Sequence, residues 1–201
     1  MEYQGLPLYK ASLVDDTCGM YTISLVDFPA TESDFLAFAD EKKLIKFAVE
    51  NEDKRIVRGL VMAADMPIYR ISPMGYEYYI TYDADCIRKM AEKYLKDGYQ
   101  NNVDTNHNEN LEMDCDMVQF FIKDTENGIN PKGFEGYNDG SLFAEFHILN
   151  DEVWSKIKAG EFKGFSLAGL FAVEEIEDDE EKELEEVMSL IEKINKKLNK
   201  K

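Results

Sequence analysis

The chain has 201 residues and a net charge of −18, from 41 acidic and 23 basic side chains. A surface of that sign repels phosphate backbones, so we expect no nucleic-acid partner. Hydrophobic residues make up 44% and aromatic residues 12% of the chain, which predicts a folded core rather than a disordered chain. The sequence has no apolar run of about 18 residues, so no membrane span is expected, and its start has no secretory-signal pattern.

The cysteine pattern indicates a reducing compartment. Cys18, Cys86 and Cys115 are an odd number with no CxxC spacing. Reduced thiols in a cytoplasmic setting are the simplest interpretation. A disulfide framework and a thiolate zinc site are not expected.

Composition changes sharply after Val173, which predicts a folded domain over residues 1–173 and a charged helical tail over residues 174–201. The tail's apolar residues recur at spacings of three and four, as on one narrow stripe of a helix; they are Leu184, Val187, Met188, Ile191, Ile194 and Leu198. Two interpretations stay open. The tail is either a solvated helix docked on its own domain or a helix that binds a partner or a second copy.

Strands are predicted where β-branched and aromatic residues concentrate. The predicted strands are Tyr21–Val26, Arg55–Met62, Tyr76–Tyr82, Met117–Lys123, Leu142–Leu149 and Phe165–Val173. A short helix followed by a strand is predicted between residues 33 and 49. The segment Asp124–Gly140 is rich in glycine and proline, which predicts a long surface loop.

Two helices have recognisable start and stop signals. The first has Asp83 or Asp85 as its cap and Gly98 as its end; its predicted buried residues are Ile87, Met90, Tyr94 and Leu95. The second has Asn150 or Asp151 as its cap and Gly160 as its end; its predicted buried residues are Val153, Trp154 and Ile157. Many strands with few helices predict an α+β domain, with a mostly antiparallel, barrel-like core and flanking helices.

Two motif-like segments fail on their spacing. Asp104–Asn108 opens like an EF-hand calcium loop, but Glu109 and Cys115 stand where that loop needs glycine and glutamate. Gly164–Gly169 resembles a nucleophile elbow, but its second glycine comes one residue too late. The pair Asp114 and Asp116 is more typical of a solvated strand face than of a metal site. No metal or cofactor is therefore expected.

Three residues remain as candidates for chemistry. His107 ends a polar stretch before a predicted strand, where catalytic groups are often found. His147 lies on a predicted strand beside Glu145, on a face that looks half exposed. Ser166 stands between Phe165 and Leu167 on an apolar strand. Each of the three, taken alone, is more typical of a structural residue, although the glycines on either side of Ser166 allow a close approach by a substrate.

Four segments resemble, in chain order, those of the XkdF-like phage prohead proteases. Lys158–Ser166 has the pattern K-x-G-x-x-x-G-F-S, preceded by a tryptophan and followed by Gly169. Thr105–His107 resembles the T-x-H segment of that family. Ile23–Ala30 resembles its SLVD-x-PA stretch, and Arg55–Arg70 resembles its G-x-V-M region and the I-Y-R that follows. The resemblance runs from about Leu13 to Val173.

The resemblance implies a serine endopeptidase whose fold is related to that of herpesvirus assembly proteases. Its partners would be scaffold protein and the major capsid protein, cut inside an immature phage shell in the host cytoplasm, with self-association left open. Ser166 would be the nucleophile and His107 the general base, because a serine hydroxyl needs a base to take its proton. Backbone N–H groups near the glycine-rich turn would stabilise the oxyanion.

The third member of such a triad stays open, because Thr22 stands where relatives have an acid. The candidates are Asp27, Glu109, Glu112 and His147, and a dyad or an inactive relative is also compatible. Two other hypotheses therefore stand beside the protease: a non-catalytic module for capsid assembly or scaffold binding on the same fold, and an unrelated acidic protein. The tail would either recruit the protease into the shell or be a segment removed by self-cleavage.

Overall fold

The computed structural model describes residues 1–27, 48–51, 55–72, 74–108 and 114–176. The helix predicted after residue 33 and the striped helix of the tail lie outside these residues. No helix of the described part is long and apolar enough to cross a membrane.

Strands dominate the described fold, which is α+β as predicted. The strands are β1 (Glu2–Tyr3), β2 (Leu6–Ser12), β3 (Gly19–Val26), β4 (Ala48–Asn51), β5 (Ile56–Met62), β6 (Ile68–Ile71), β7 (Glu77–Thr81), β8 (Val103–Thr105), β9 (Cys115–Ile122), β10 (Leu142–Ile148), β11 (Gly164–Leu170) and β12 (Ala172–Glu175). The helices are α1 (Ala84–Lys96) and α2 (Asp151–Ala159), with a short 3-10 turn at Tyr99–Asn101.

The described strands form three open sheets. One has the order β1-β2-β7-β6, with β12 also paired to β2; the second has the order β4-β5-β10-β9; the third has the order β11-β3-β8. Pairing is mostly antiparallel, as predicted, while β2–β7 and β3–β8 are parallel. None of these sheets closes on itself within the described chain, so the predicted barrel-like core is not confirmed.

Both helices begin and end at the predicted signals. The Asp83 carboxylate accepts a hydrogen bond from the Cys86 amide at 2.7 Å, and the Asn150 side chain accepts one from the Val153 amide at 3.0 Å. Each bond satisfies a donor that the first helical turn leaves without a partner. Gly160 ends α2 with a φ of 74°, a left-handed conformation that glycine adopts without steric cost.

One main core lies between the sheets and the two helices. Its fully buried side chains include Ile23, Leu25, Ile87, Met90, Tyr94, Phe146 and Ile148. Leu95 was wrongly predicted to join them: its side chain is 48% exposed, because it lies on the side of α1 away from this core.

The last apolar run does not form one strand. Sequence predicts a single strand over Phe165–Val173, but β11 ends at Leu170 and β12 begins at Ala172. The two strands pair with different partners, β3 and β2. A continuous apolar run cannot show where a chain changes sheets, because both strands need the same residue types.

Candidate active site

The sheet of β11, β3 and β8 turns one face to the main core and carries two serines on the other. Ile23, Leu25 and Phe165 pack into the main core. Alternation along a strand turns Ser24 and Ser166 to the opposite face. The register places Ser166 directly opposite Ser24 on neighbouring strands, so the two hydroxyl groups lie side by side.

Two glycines allow the close packing of β11. A Cβ atom on Gly59 of β5 would come within 2.7 Å of the Phe165 ring, so glycine lets that ring approach the β5 backbone closely. A Cβ atom on Gly169 would come within 2.3 Å of Phe171 and 2.6 Å of the Gly19 carbonyl oxygen. The close approach expected near Ser166 therefore does occur at Gly169, but the chain itself makes it.

His107 lies in a turn directly after β8. Asn106 and His107 have φ angles of 51° and 53°, a left-handed conformation that costs energy for residues other than glycine. The Asn106 amide donates to the Leu25 carbonyl at 2.9 Å, and the Asn108 side-chain amide donates to the Thr105 hydroxyl at 3.0 Å. These bonds hold the turn against β3, and His107 with it.

One imidazole bridges the two serines. Nδ1 of His107 lies 2.8 Å from Oγ of Ser24, and Nε2 lies 3.0 Å from Oγ of Ser166. Both distances are within hydrogen-bonding range. The sequence-predicted pair, Ser166 and His107, is thus brought together although 59 positions separate the two residues in the chain.

The two serines differ in position and exposure. Ser166 lies on the outer strand β11 and is 9% exposed, whereas Ser24 lies on the central strand β3 and is 0% exposed. When Nδ1 carries the imidazole proton and donates a hydrogen bond to the Ser24 hydroxyl, Nε2 is free to accept the Ser166 proton. The arrangement therefore suits Ser166 as the nucleophile and Ser24 as the group that orients the imidazole.

Sequence reasoning missed Ser24. The predicted candidates for the third residue are Asp27, Glu109, Glu112 and His147, whereas the atom that contacts Nδ1 is a serine oxygen. Glu109 and Glu112 lie outside the described residues. The available signal was that Ser24, like Ser166, is a small polar residue inside an apolar strand.

His147 and Glu145 belong to a different part of the molecule. Both lie on β10, and Glu145 forms an ion pair with Arg58 on the neighbouring strand β5. The prediction that Glu145 is half exposed is wrong, because only 4% of the residue is exposed. The ion pair allows that burial, since pairing offsets the cost of removing a carboxylate from water.

The cysteines of the described residues are unsuited to act as nucleophiles. All three are free and buried. Burial raises the pKa of the Cys86 thiol to about 11 and that of the Cys115 thiol to about 12. These two groups remain protonated at neutral pH, and a protonated thiol is a poor nucleophile.

A cavity of about 20 Å³ lies beside β11, lined by residues that include Phe165, Ser166, Leu167 and Arg70. Phe165 and Leu167 belong to the core face of the sheet, and Ser166 also borders the cavity. Its volume holds about one water molecule.

Comparison with protein families identifies the chain. Residues 43–177 match a family described as "Putative phage serine protease XkdF". The chain belongs to this family. No curated protein and no solved structure matches the chain, so the relation to the herpesvirus assembly proteases stays a prediction. The matched range contains His107 and Ser166, while Ser24 lies before it.

Proposed function

We propose that this chain is a serine endopeptidase of phage head maturation, which cuts scaffold and capsid-protein segments inside the immature shell. Family membership supports a phage protease role. The observation that carries the proposal is the chain of hydrogen bonds from Ser24 through His107 to Ser166. A nucleophile held by a base that a third group orients is the recurring signature of serine hydrolases.

The proposed chemistry has two stages. The Ser166 hydroxyl attacks the carbonyl carbon of the scissile bond as its proton passes to Nε2 of His107, and the proton is then given to the leaving amine. Water repeats the attack on the acyl-serine and releases the second product. Throughout, Nδ1 keeps its proton and donates a hydrogen bond to the Ser24 hydroxyl, which holds the ring in the productive tautomer.

The test is covalent labelling by a fluorophosphonate probe, read by mass spectrometry of the labelled peptide. We expect Ser166 to be labelled and Ser166→Ala to abolish labelling while leaving the thermal unfolding curve unchanged. The matched control is Ser141→Ala, which removes the hydroxyl group of another buried serine, directly before β10. Absence of labelling at Ser166 in the folded wild-type protein would overturn the proposal.

A second function is favoured by the nature of the third residue. His107 contacts a serine through Nδ1, where many serine proteases place a carboxylate, and an inactive module for capsid assembly could tolerate that change. In that case the purified chain would stay uncut and unlabelled, yet bind capsid or scaffold protein through residues 174–201.

If the chain is active, the same tail is proposed either to recruit it into the shell or to be removed by self-cleavage. Binding and cleavage assays with residues 174–201 deleted separate these roles.

A further inference from the structure

We propose that Asp104 supplies, through its negative charge, the electrostatic support that a direct carboxylate partner of His107 would otherwise give. The inference rests on the proposed function. It makes Asp104 a positioning residue that acts across Ser24 and does not touch the reacting atoms.

The register of the sheet carries the argument. Ser166 lies opposite Ser24 on one side of β3, and Asp104 lies opposite Ser24 on the other side. Residues in register on neighbouring strands point to the same face, and the strands are about 5 Å apart. The three side chains therefore form one row across the sheet, with His107 over Ser24 and Ser166.

Charge and burial single out Asp104 within this sheet. It is the one charged residue in the sequences of Gly19–Val26, Val103–Thr105 and Gly164–Leu170. Only 2% of Asp104 is exposed, so water screens its charge weakly. The other charged residues next to these strands, Asp27 and Lys163, lie beyond the strand ends, and Asp27 is exposed.

The physical effect follows from the change in charge during the reaction. His107 is neutral before Ser166 attacks and becomes an imidazolium as it takes the proton. A buried carboxylate one strand beyond Ser24 stabilises that cation more than it stabilises the neutral ring. Ser24 transmits orientation by a hydrogen bond, while Asp104 provides the negative charge, so the two residues together serve as the acidic member of a triad.

The experiment compares Asp104→Asn with the wild-type chain in the rate of Ser166 labelling across pH. Asparagine keeps the shape and removes the charge. We expect labelling to be roughly tenfold slower at neutral pH and the acidic limb of the pH profile to move to lower pH, because the imidazole holds its proton less strongly. A purely structural role would not move that limb. If Asp104→Asn does not fold, Asp104→Ser is measured in the same way.

Two further variants complete the test. Asp27→Asn removes an exposed carboxylate near the end of β3. It should leave the acidic limb of the pH profile unchanged, since solvent screens the Asp27 charge. In Ser24→Ala/Asp104→Asn, the combined loss should be smaller than the product of the single losses, as expected for residues that act together.

The outcomes separate the two proposals. If wild-type Ser166 is not labelled, or is labelled equally after His107→Ala, the proposed function fails. If labelling depends on His107 but Asp104→Asn matches the wild type in rate and in pH profile, the role of Asp104 is overturned and the protease assignment stands.

Discussion

This protein has two sets of buried polar side chains, each on a pair of neighbouring strands, and the two sets differ in how their polar groups are bonded. On β5 and β10, Arg58 and Glu145 form an ion pair whose charges balance each other. On β3 and β11, Ser24 and Ser166 share an imidazole, and Ser166 stands at the outer strand with some exposure. A closed polar pair stabilises a fold, whereas a hydrogen-bonded chain that ends in a hydroxyl group at an outer strand can transfer a proton to or from a ligand.

The largest expected difference separates the two histidines. His107→Ala should slow Ser166 labelling about 1000-fold, because the hydroxyl loses its base. His147→Ala should label close to the wild-type rate, since His147 lies on β10 in another sheet. The test is the rate of Ser166 labelling in both variants, with thermal unfolding to show that each is folded. Equal effects of the two substitutions would contradict the assignment of the base.

The next largest effect concerns the orienting serine. Ser24→Ala should slow labelling roughly 10- to 100-fold, less than loss of the base, because the turn still holds the imidazole near Ser166. Thr22→Val is the matched control: Thr22 is a buried hydroxyl residue on the same strand, two positions away. A loss for Thr22→Val as large as that for Ser24→Ala would mean that the strand, and not the hydroxyl, matters.

A substitution in the ion pair of Arg58 and Glu145 should change stability and leave labelling unchanged. Glu145→Ala leaves the half-buried Arg58 guanidinium without its carboxylate, and we expect the free energy of unfolding to drop by about 3 kcal/mol. Chemical denaturation measures it. Lys89→Ala breaks an exposed pair with Asp85 and should cost at most about 1 kcal/mol. Labelling of Ser166 in folded Glu145→Ala protein should match the wild type; slower labelling would show that the two regions are coupled.

The smallest effect is at the cap of α1, which packs beside β3. The Lys10 ammonium and the Cys86 amide lower the pKa of the Asp83 carboxyl, so its charged form stabilises the fold. Asp83→Ala should cost about 1 kcal/mol at pH 7. Because the folded-state pKa lies below the unfolded one, that contribution is present above the unfolded pKa of about 4 and fades as pH falls through the folded value.

Denaturation of the wild type and Asp83→Ala at pH 7 and in acid provides the measurement. The difference should narrow towards low pH. Glu92→Ala, on the exposed side of the same helix, should change stability by less than about 0.5 kcal/mol. A difference between wild type and Asp83→Ala that stays constant with pH would rule out the charged cap as its source.

Much of the fold could be read from residue patterns. The strands rich in β-branched residues and both capped helices occur where expected, because those signals act locally. β8 was missed, since Val103–Thr105 is too short to show a period, and so was β2, whose Leu6–Ser12 mixes apolar and polar residues. Which sheet a strand joins depends on distant partners, so the break at Phe171 could not be seen.

The candidate site could be predicted in part for a similar reason. Ser166 and His107 were selected by resemblance to a family, and the structure brings them within 3.0 Å. Ser24 is not among the predicted candidates, because the third member of such a triad is expected to be an acid or a histidine. Its role depends on a parallel pairing of β3 with β8, a contact between segments about 80 residues apart that no local pattern reveals.

The bare backbone at Gly59 has a consequence for how this protein can change. The Phe165 ring lies within 2.7 Å of where any other residue at position 59 would place its Cβ atom, so even alanine would push against the strand that holds Ser166. Gly59→Ala joined with Phe165→Leu would reopen the space. We therefore expect these two positions to vary only together, and a survey of natural sequences would show whether they do.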